Sequence, residues 1–263
     1  MSVLVTFHAH PDDEAIACGG VMAKAAAAGH RVVLVSATRG EHGEVPDGFL
    51  EPGETLAERR EQELQAAAGV LGASRVEFLG YVDSGMMGVP ANEAPDSFWL
   101  ADVEEAAARL AALLQDERAD VMTIYDEGGT YGHPDHIKVH HVGVRAAEIA
   151  STPVVYESVV PVESLERGFA RLKEAGIDPP FDPGEFGLGV PEATVTTFVD
   201  VSGYVGAKRA AMRAHASQIP EESFFLSLPE EWFKEAFGLE CFRLRGAEPG
   251  LRETELRGLK RPS

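Results

Sequence analysis

The sequence predicts an α/β fold: a doubly wound, Rossmann-like parallel sheet with a smaller C-terminal α+β portion. Short apolar runs rich in β-branched residues alternate with alanine-rich helical runs as far as residue 160. Glycines stand just after the helical runs, where helices commonly end. The pattern is less regular after residue 160. We therefore expect residues 1–160 to form the catalytic core and residues 161–263 to complete the site within the same domain.

The first elements follow directly from composition. Val3–His8 is apolar and β-branched, which suits a strand buried on both faces. Glu14–Ala28 is rich in alanine, the best helix former, and Gly29 follows where a terminating glycine belongs. Arg31–Ala37 has strand composition again. The pattern repeats with the loop Thr38–Pro52, the charged, alanine-rich helix Glu54–Leu71 before Gly72, and the strand Val76–Leu79.

The later elements are assigned by the same signals. Asp83–Pro95 is rich in proline, glycine and small residues and is predicted as a loop. The predicted helices that follow are Asp102–Gln115, His136–Ala150, Gly206–Gln218 and Glu230–Phe237, and the predicted strands are Asp120–Tyr125, Val154–Val160 and Thr194–Val201. Asp178–Pro191 is a further proline- and glycine-rich loop, and Gly246–Ser263 is a polar tail with mixed charge.

Composition excludes several classes of function. The 43 acidic and 23 basic residues give a formal net charge of −20, which disfavours binding to nucleic acid or to anionic membranes. Two cysteines, Cys18 and Cys241, are too few for a disulfide framework. The chain begins without a basic leader, and no run approaches the roughly 20 apolar residues of a membrane span. We expect a soluble, cytoplasmic protein, with a homo-oligomer as one option.

Two short runs carry the chemistry. His10–Glu14 (HPDDE) directly follows the first strand, and His133–His136 (HPDH) follows the fourth. Ligands of open parallel sheets bind outside the carboxyl ends of the strands, so we expect the two runs to meet in one crevice. Two imidazoles and one carboxylate suit a catalytic metal, and the remaining groups offer a base and a charge stabiliser. Asp12 and Asp13 are adjacent and should therefore differ in role. The sequence predicts a metallohydrolase.

Simpler interpretations exist for each run. The acidic residues after Pro11 could only cap a helix, and His133 and His136 could be ordinary loop residues. His136 and His140 also have the spacing of a zinc pair, but His140 lies one turn deeper, so we assign it to the core or to support of the site. His8 could support the site from below. The joint occurrence of both runs at strand ends favours the functional interpretation.

At these residues the chain resembles the PIG-L/LmbE family of metal-dependent N-deacetylases. The similarity covers most of the chain, and its middle runs are closest to the branch that handles mycothiol and its precursor. The matching runs are Ala9–Glu14, Gly40–Glu44, Arg60–Leu64, Asp83–Met86, Tyr131–His136 and Ala214–Gln218.

The resemblance implies an enzyme that removes an N-acetyl group from a small molecule containing N-acetylglucosamine. It implies zinc, or iron(II), held by His10, Asp13 and His136. Asp12 would be the general base, and a protonated His133, oriented by Asp135, would stabilise the oxyanion. Tyr131 would help to polarise the carbonyl, and the predicted substrate contacts are Arg60, Glu44 and Asp83. Either Asp12 or His133 could return the proton to the leaving nitrogen.

Other functions remain as alternatives. Within hydrolases these are an amidase for mycothiol-type S-conjugates and a deacetylase of a glycosylated natural product. A nucleotide-binding or oxidoreductase domain lacks its glycine-rich motif, because Gly19 and Gly20 fall inside the predicted helix. A metal-binding protein without catalysis would need His10, Asp13 and His136 but not the base.

Overall fold

The computed structural model describes residues 1–181, 187–248 and 250–259, so parts of the predicted loop 178–191 and of the predicted tail 246–263 lie outside the described residues. Within them, seven strands form one sheet in the order β3-β2-β1-β4-β5-β7-β6. Strands β1 to β5 run parallel, whereas β7 is antiparallel to both of its neighbours. The strands are β1 Val3–His8, β2 Arg31–Ser36, β3 Arg75–Phe78, β4 Val121–Tyr125, β5 Val154–Ser158, β6 Thr197–Asp200 and β7 Leu239–Leu244.

Helices cover both faces of the parallel part of the sheet. Helices α2, α3 and α8 contribute to the apolar core on one face, and helices α4 and α6 contribute to the core on the other. The helices are α1 Asp13–Ala17, α2 Gly19–Ala27, α3 Leu56–Leu71, α4 Val103–Glu117, α5 Gly129–Gly132, α6 Pro134–Ala150, α7 Val162–Glu174, α8 Val205–Ala214, α9 Phe224–Ser227 and α10 Glu230–Phe237, with short 3₁₀ turns at Pro90–Glu93 and Glu192–Thr194. The predicted fold class is confirmed. None of the described helices is long and apolar enough to span a bilayer.

The predicted helix Glu14–Ala28 is wrong in one respect, because it is two helices that meet at Cys18 (φ −132°, ψ 4°). The break has a tertiary cause. The Glu240 carboxylate accepts the backbone N–H groups of Gly20 and Val21 at 2.8 Å each, as a cap on the start of α2. A side chain at Gly20 would overlap Val201. Glycine is therefore required at the point where the second helix begins.

The C-terminal portion belongs to the same sheet. Strands β7 and β6 continue it beyond β5, and buried Lys208 pairs with Glu240, the residue that caps α2. Helix α7 and strand β7 are absent from the sequence prediction. Strands from before and after residue 160 therefore pair within one sheet. The division into a core and a completing portion stays a prediction.

Candidate active site

The site lies where β1 and β4 run side by side and their following loops diverge. Strand β2 lies on the far side of β1, and β5 lies on the far side of β4, so a crevice opens between the two loops. The His10 ring centroid is 4.6 Å from that of His133 and 5.5 Å from that of His136. The two sequence runs thus meet as expected, although 118 residues lie between them.

Asp12 is held in a strained conformation directly before α1. Its φ is 120°, a region that non-glycine residues rarely adopt and that clusters at functional sites. Glu14 Oε2 accepts the Asp12 N–H at 3.0 Å, and Arg60 Nη2 donates to Asp12 Oδ2 at 3.1 Å and to the Pro11 carbonyl at 2.6 Å. Burial raises the pKa of Asp12 to about 6, against the opposing charge of Arg60. This carboxyl group changes protonation close to neutral pH.

Asp13 bridges the two histidines that were predicted to bind metal with it. Its Oδ2 lies 3.4 Å from His10 Nδ1, and its Oδ1 lies 3.4 Å from His136 Nε2. A tetrahedral ion with bonds of about 2.0–2.1 Å separates its ligand atoms by about 3.3–3.4 Å. Burial opposes the charge, but His136 and His10 hold the pKa of Asp13 well below its usual range. Two imidazoles and one carboxylate are donors that suit a divalent cation, and binding of the ion by these three residues stays a prediction.

The other nitrogen of His10 faces two more carboxylates. Its Nε2 lies 3.2 Å from Asp135 Oδ2 and 3.3 Å from Asp83 Oδ1. Ligand atoms of His10, His133 and His136 lie within 4.8 Å of one another, and the same holds for His10, Asp83 and Asp135. His10 is therefore shared by both groups and lies at the centre of the site.

The Asp135 carboxylate was predicted to orient His133, but its contacts in the structure are with other residues, and the protonated state of His133 stays a prediction. The carboxylate contacts Ser84 and His10, and only the backbone N–H of Asp135 reaches His133, donating to Nδ1 at 3.1 Å as the cap of α6. An acceptor at Nδ1 leaves the proton on Nε2. Burial, with His10 and His136 nearby, lowers the pKa of His133 to about 4. A neutral His133 therefore donates through Nε2.

His136 is oriented by an aromatic stack that sequence reasoning missed. Its ring lies parallel to Tyr125, with centroids 4.3 Å apart and an interplanar angle of 13°. The Tyr125 hydroxyl lies 3.0 Å from His8 Nδ1, and the Tyr125 carbonyl lies 3.0 Å from His140 Nδ1. His8 and His140 thus support the site through Tyr125. Tyr131 is 40% exposed at the mouth, with its hydroxyl 3.5 Å from His136 Nε2.

The three predicted substrate contacts occupy different environments. Glu44 is exposed, and its carbonyl accepts a hydrogen bond from Gln218. Asp83 is buried beside His10, where it also accepts the backbone N–H groups of His42 and Gly85. Arg60 is buried beneath Asp12 and also donates to the Gly40 carbonyl at 2.9 Å. Contact of these residues with substrate stays a prediction.

A buried ion pair links the C-terminal portion to the site. His215 Nε2 lies 2.6 Å from Glu14 Oε1, and both side chains are fully buried. Because Glu14 also accepts the Asp12 N–H, the pair supports the strained residue from behind. Glu63 similarly accepts hydrogen bonds from Ser217 at its N–H and Oγ. The sequence left His215 without a role. The signals available were its place in the Ala214–Gln218 run and the position of Glu14 beside Asp13.

A large cleft lies away from these residues. It encloses about 720 Å³ between α6 and the β5–β7 edge, and none of the predicted site residues lines it. Its lining includes Glu157, whose carboxylate already pairs with Arg243 and Arg245. The side chains around His10 therefore lie outside this cleft.

Comparison with known proteins identifies the family. The sequence profile described as PIG-L: GlcNAc-PI de-N-acetylase matches residues 5–147. The chain belongs to this family. The membership confirms the prediction of a deacetylase, a hydrolase that acts on an amide bond.

Curated relatives and a solved structure agree with this assignment. A 1D-myo-inositol 2-acetamido-2-deoxy-alpha-D-glucopyranoside deacetylase of Thermobispora bispora is 41% identical over 93% of this chain and 88% of its own length. The protein of that name from Nocardiopsis dassonvillei is 44% identical over 90% of this chain and 92% of its own. The N,N'-diacetylchitobiose deacetylase of Pyrococcus horikoshii superposes with a TM-score of 0.60 at 23% identity, covering 95% of this chain and 84% of that one. At that identity the superposition supports the fold alone.

Proposed function

We propose that the protein is a zinc-dependent deacetylase that acts on 1D-myo-inositol 2-acetamido-2-deoxy-α-D-glucopyranoside, releasing acetate and the free amine. Two relatives named for this activity are 41% and 44% identical over at least nine-tenths of the chain. The observation that carries the proposal is Asp13, placed 3.4 Å from a nitrogen of both His10 and His136, with Asp12 next to it. Iron(II) suits the same nitrogen and oxygen donors.

The metal would be held by His10 Nδ1, the Asp13 carboxylate and His136 Nε2. When bound, the ion supplies Lewis acidity toward the acetyl carbonyl and lowers the pKa of water in the crevice. Asp13 keeps its charge because both histidines favour the carboxylate form. The stacked Tyr125 ring fixes the plane of His136, so its Nε2 faces the crevice. The chain therefore presents three oriented donors.

Asp12 acts as the general base. With a pKa of about 6 it is mostly ionised at neutral pH and can still take up a proton during turnover. Glu14 and Arg60 hold its backbone and its carboxylate, so the free carboxylate oxygen keeps one direction. The proton that Asp12 takes from the attacking water is the one it returns to the leaving nitrogen. Asp12 fits this return better than His133. A neutral His133 carries a single N–H, and giving up that proton would leave an imidazolate anion.

His133 stabilises the developing oxyanion as a neutral hydrogen-bond donor. Its Nδ1 is occupied by the start of α6, so the Nε2–H is left to bond the acetyl oxygen as charge builds up. Tyr131 lies at the mouth of the crevice, and its hydroxyl supplies the second hydrogen-bond donor to that oxygen. Burial raises the pKa of Tyr131, so this hydroxyl stays protonated across the working pH range.

One observation favours the S-conjugate amidase as a second candidate. The loop that directly follows Asp83 and Ser84 exposes Met86 and Met87 to solvent by 51% and 53%. Exposed methionines adapt to varied apolar surfaces and suit a bulky thiol substituent. Such a substituent would have to lie beside the sugar, on the side of this loop.

The test uses zinc-loaded protein and a panel of three amides, with free amine as the readout. The panel contains N-acetylglucosamine, its inositol glycoside and a bulky thiol conjugate of the deacetylated glycoside. The proposal expects the highest kcat/KM for the inositol glycoside, and preference for the conjugate would instead establish the amidase. Asp12→Asn should retain zinc and lose about 10²–10⁴-fold in kcat. Near-normal turnover by this variant would remove Asp12 from the mechanism.

A further inference from the structure

We infer that Ser84 is a positioning residue for the metal site, acting through Asp135 on the ligand His10. The inference rests on the proposed function, since it assumes that His10 holds the ion. Ser84 is fully buried in the loop after β3, and Asp135 is fully buried in the first turn of α6. No other part of the proposed mechanism uses either the Ser84 hydroxyl or the Asp135 carboxylate.

Asp135 is a buried carboxylate whose two oxygens accept hydrogen bonds from two sides. Ser84 donates its hydroxyl to Oδ1 at 2.5 Å and its backbone N–H to Oδ2 at 2.9 Å. The His10 Nε2 lies 3.2 Å from the same Oδ2. A buried carboxylate is stable only when such donors replace water. Ser84 thus supplies two of the three donors that hold the charge in place.

The Ser84 hydroxyl has no freedom to point elsewhere. Its oxygen accepts the backbone N–H of Trp99 at 2.8 Å, which leaves its single hydrogen for Asp135. The loop itself is tied down, because Asn92 Nδ2 donates to the Ser84 carbonyl at 2.6 Å. The serine is therefore fixed before any ligand enters the crevice.

The consequence reaches the metal through the tautomer of His10. With Asp135 and Asp83 both beside Nε2, this nitrogen must carry a hydrogen. The lone pair is then on Nδ1, the atom that faces Asp13. A carboxylate behind a ligating histidine fixes the ring and raises its basicity, and its loss typically weakens metal binding 10–100-fold. Ser84 sets the position of that carboxylate.

The test measures zinc affinity by competition with a chromophoric chelator, beside kcat and KM. Ser84→Ala should weaken zinc binding about 10-fold, near the lower end of that range, because Ser84 acts one step further away. Ser97→Ala is the matched control. Ser97 is also buried in this segment, and its Oγ accepts the backbone N–H of Leu100 at 3.4 Å. Ser97→Ala should bind zinc like the unmodified protein.

A double-mutant cycle decides whether Ser84 acts through Asp135. Adding Ser84→Ala to Asp135→Asn should change zinc affinity much less than Ser84→Ala does alone. Additive effects, or zinc affinity of Ser84→Ala equal to that of Ser97→Ala, would overturn the inference and leave the proposed function intact. Full zinc occupancy in His10→Ala would instead overturn the metal site, and the inference with it.

Discussion

Gly40→Ala tests whether the position of Arg60 controls the catalytic base. Gly40 has φ +69°, and a Cβ built there would lie 2.7 Å from Arg60 Nε and closer still to Cζ and Nη1. The planar guanidinium would have to move by about 1 Å or more to restore normal contact distances. In that position it loses its alignment with the carbonyls of Gly40 and Pro11 and with Asp12 Oδ2.

The magnitude follows from two separate costs. An alanine with positive φ costs about 1–2 kcal/mol, partly offset by the smaller entropy of its unfolded chain. Hydrogen bonds from a charged group contribute about 1.5–3 kcal/mol each, and we expect one to two of the three to be lost. Gly48→Ala isolates the first cost, because Gly48 has φ +75° and no atom within 4 Å of a built Cβ. The difference between the two variants should be about 1.5–6 kcal/mol.

Urea unfolding measures the stability, and deacetylation of the inositol glycoside measures the function. Gly48→Ala should keep kcat near that of the unmodified protein. Gly40→Ala should lower kcat more strongly than it lowers zinc affinity. The substitution displaces Arg60, which holds Asp12, and leaves the proposed metal ligands in place. Equal stability and equal kcat in the two variants would refute the role assigned to Arg60.

Three further predictions concern other parts of the fold and site. The guanidinium of Arg31 lowers the pKa of Glu117 to about 2, so Glu117→Gln should destabilise the protein by roughly 1 kcal/mol at pH 7 after solvent screening. This difference should shrink as the pH falls below about 4.5 and vanish near pH 2, as followed by urea unfolding. His133→Ala should lower kcat about 10²–10³-fold, with His133→Gln recovering part of the loss; equal activity of the two would favour a cationic His133. Gly143→Ala should cost about 1–3 kcal/mol, because its Cβ would lie 2.5 Å from a β4 side chain, whereas Gly69→Ala, on an open helix face, should be neutral or stabilising.

The sequence predicted those parts of the fold that local patterns encode. Parallel strands buried on both faces, such as Val3–His8, are continuous apolar runs, and helix ends such as Gly29 and Gly72 need positive φ. Strand β7 was missed because its six residues alternate poorly in burial and its partners are distant in sequence. Helix α7 carries Leu165, Phe169 and Leu172 at helical spacing, a period that the sequence reading overlooked.

Within the site, the sequence identified groups but not their partners. His10, Asp13 and His136 were predicted together, and the structure brings them together. The Ser84–Asp135 contact and the His215–Glu14 pair depend on how distant loops pack, which no local spacing encodes. The tautomer of neutral His133 depends on the hydrogen bond that caps α6, a detail of helix geometry. Residue types indicated the chemistry, whereas the protonation state of each group depends on its contacts in the folded protein.

The cap that Glu240 places on α2 also constrains when the enzyme becomes active during synthesis. Glu240 and Gly20 are 220 residues apart, and His215 and Glu14 are 201 residues apart. A nascent chain can therefore expose both sequence runs of the crevice well before the groups that support Asp12 and α2 leave the ribosome. Contacts of such long range slow folding, since the intervening chain must be ordered before they form. We expect chains that end before residue 240 to leave α2 uncapped and the enzyme inactive.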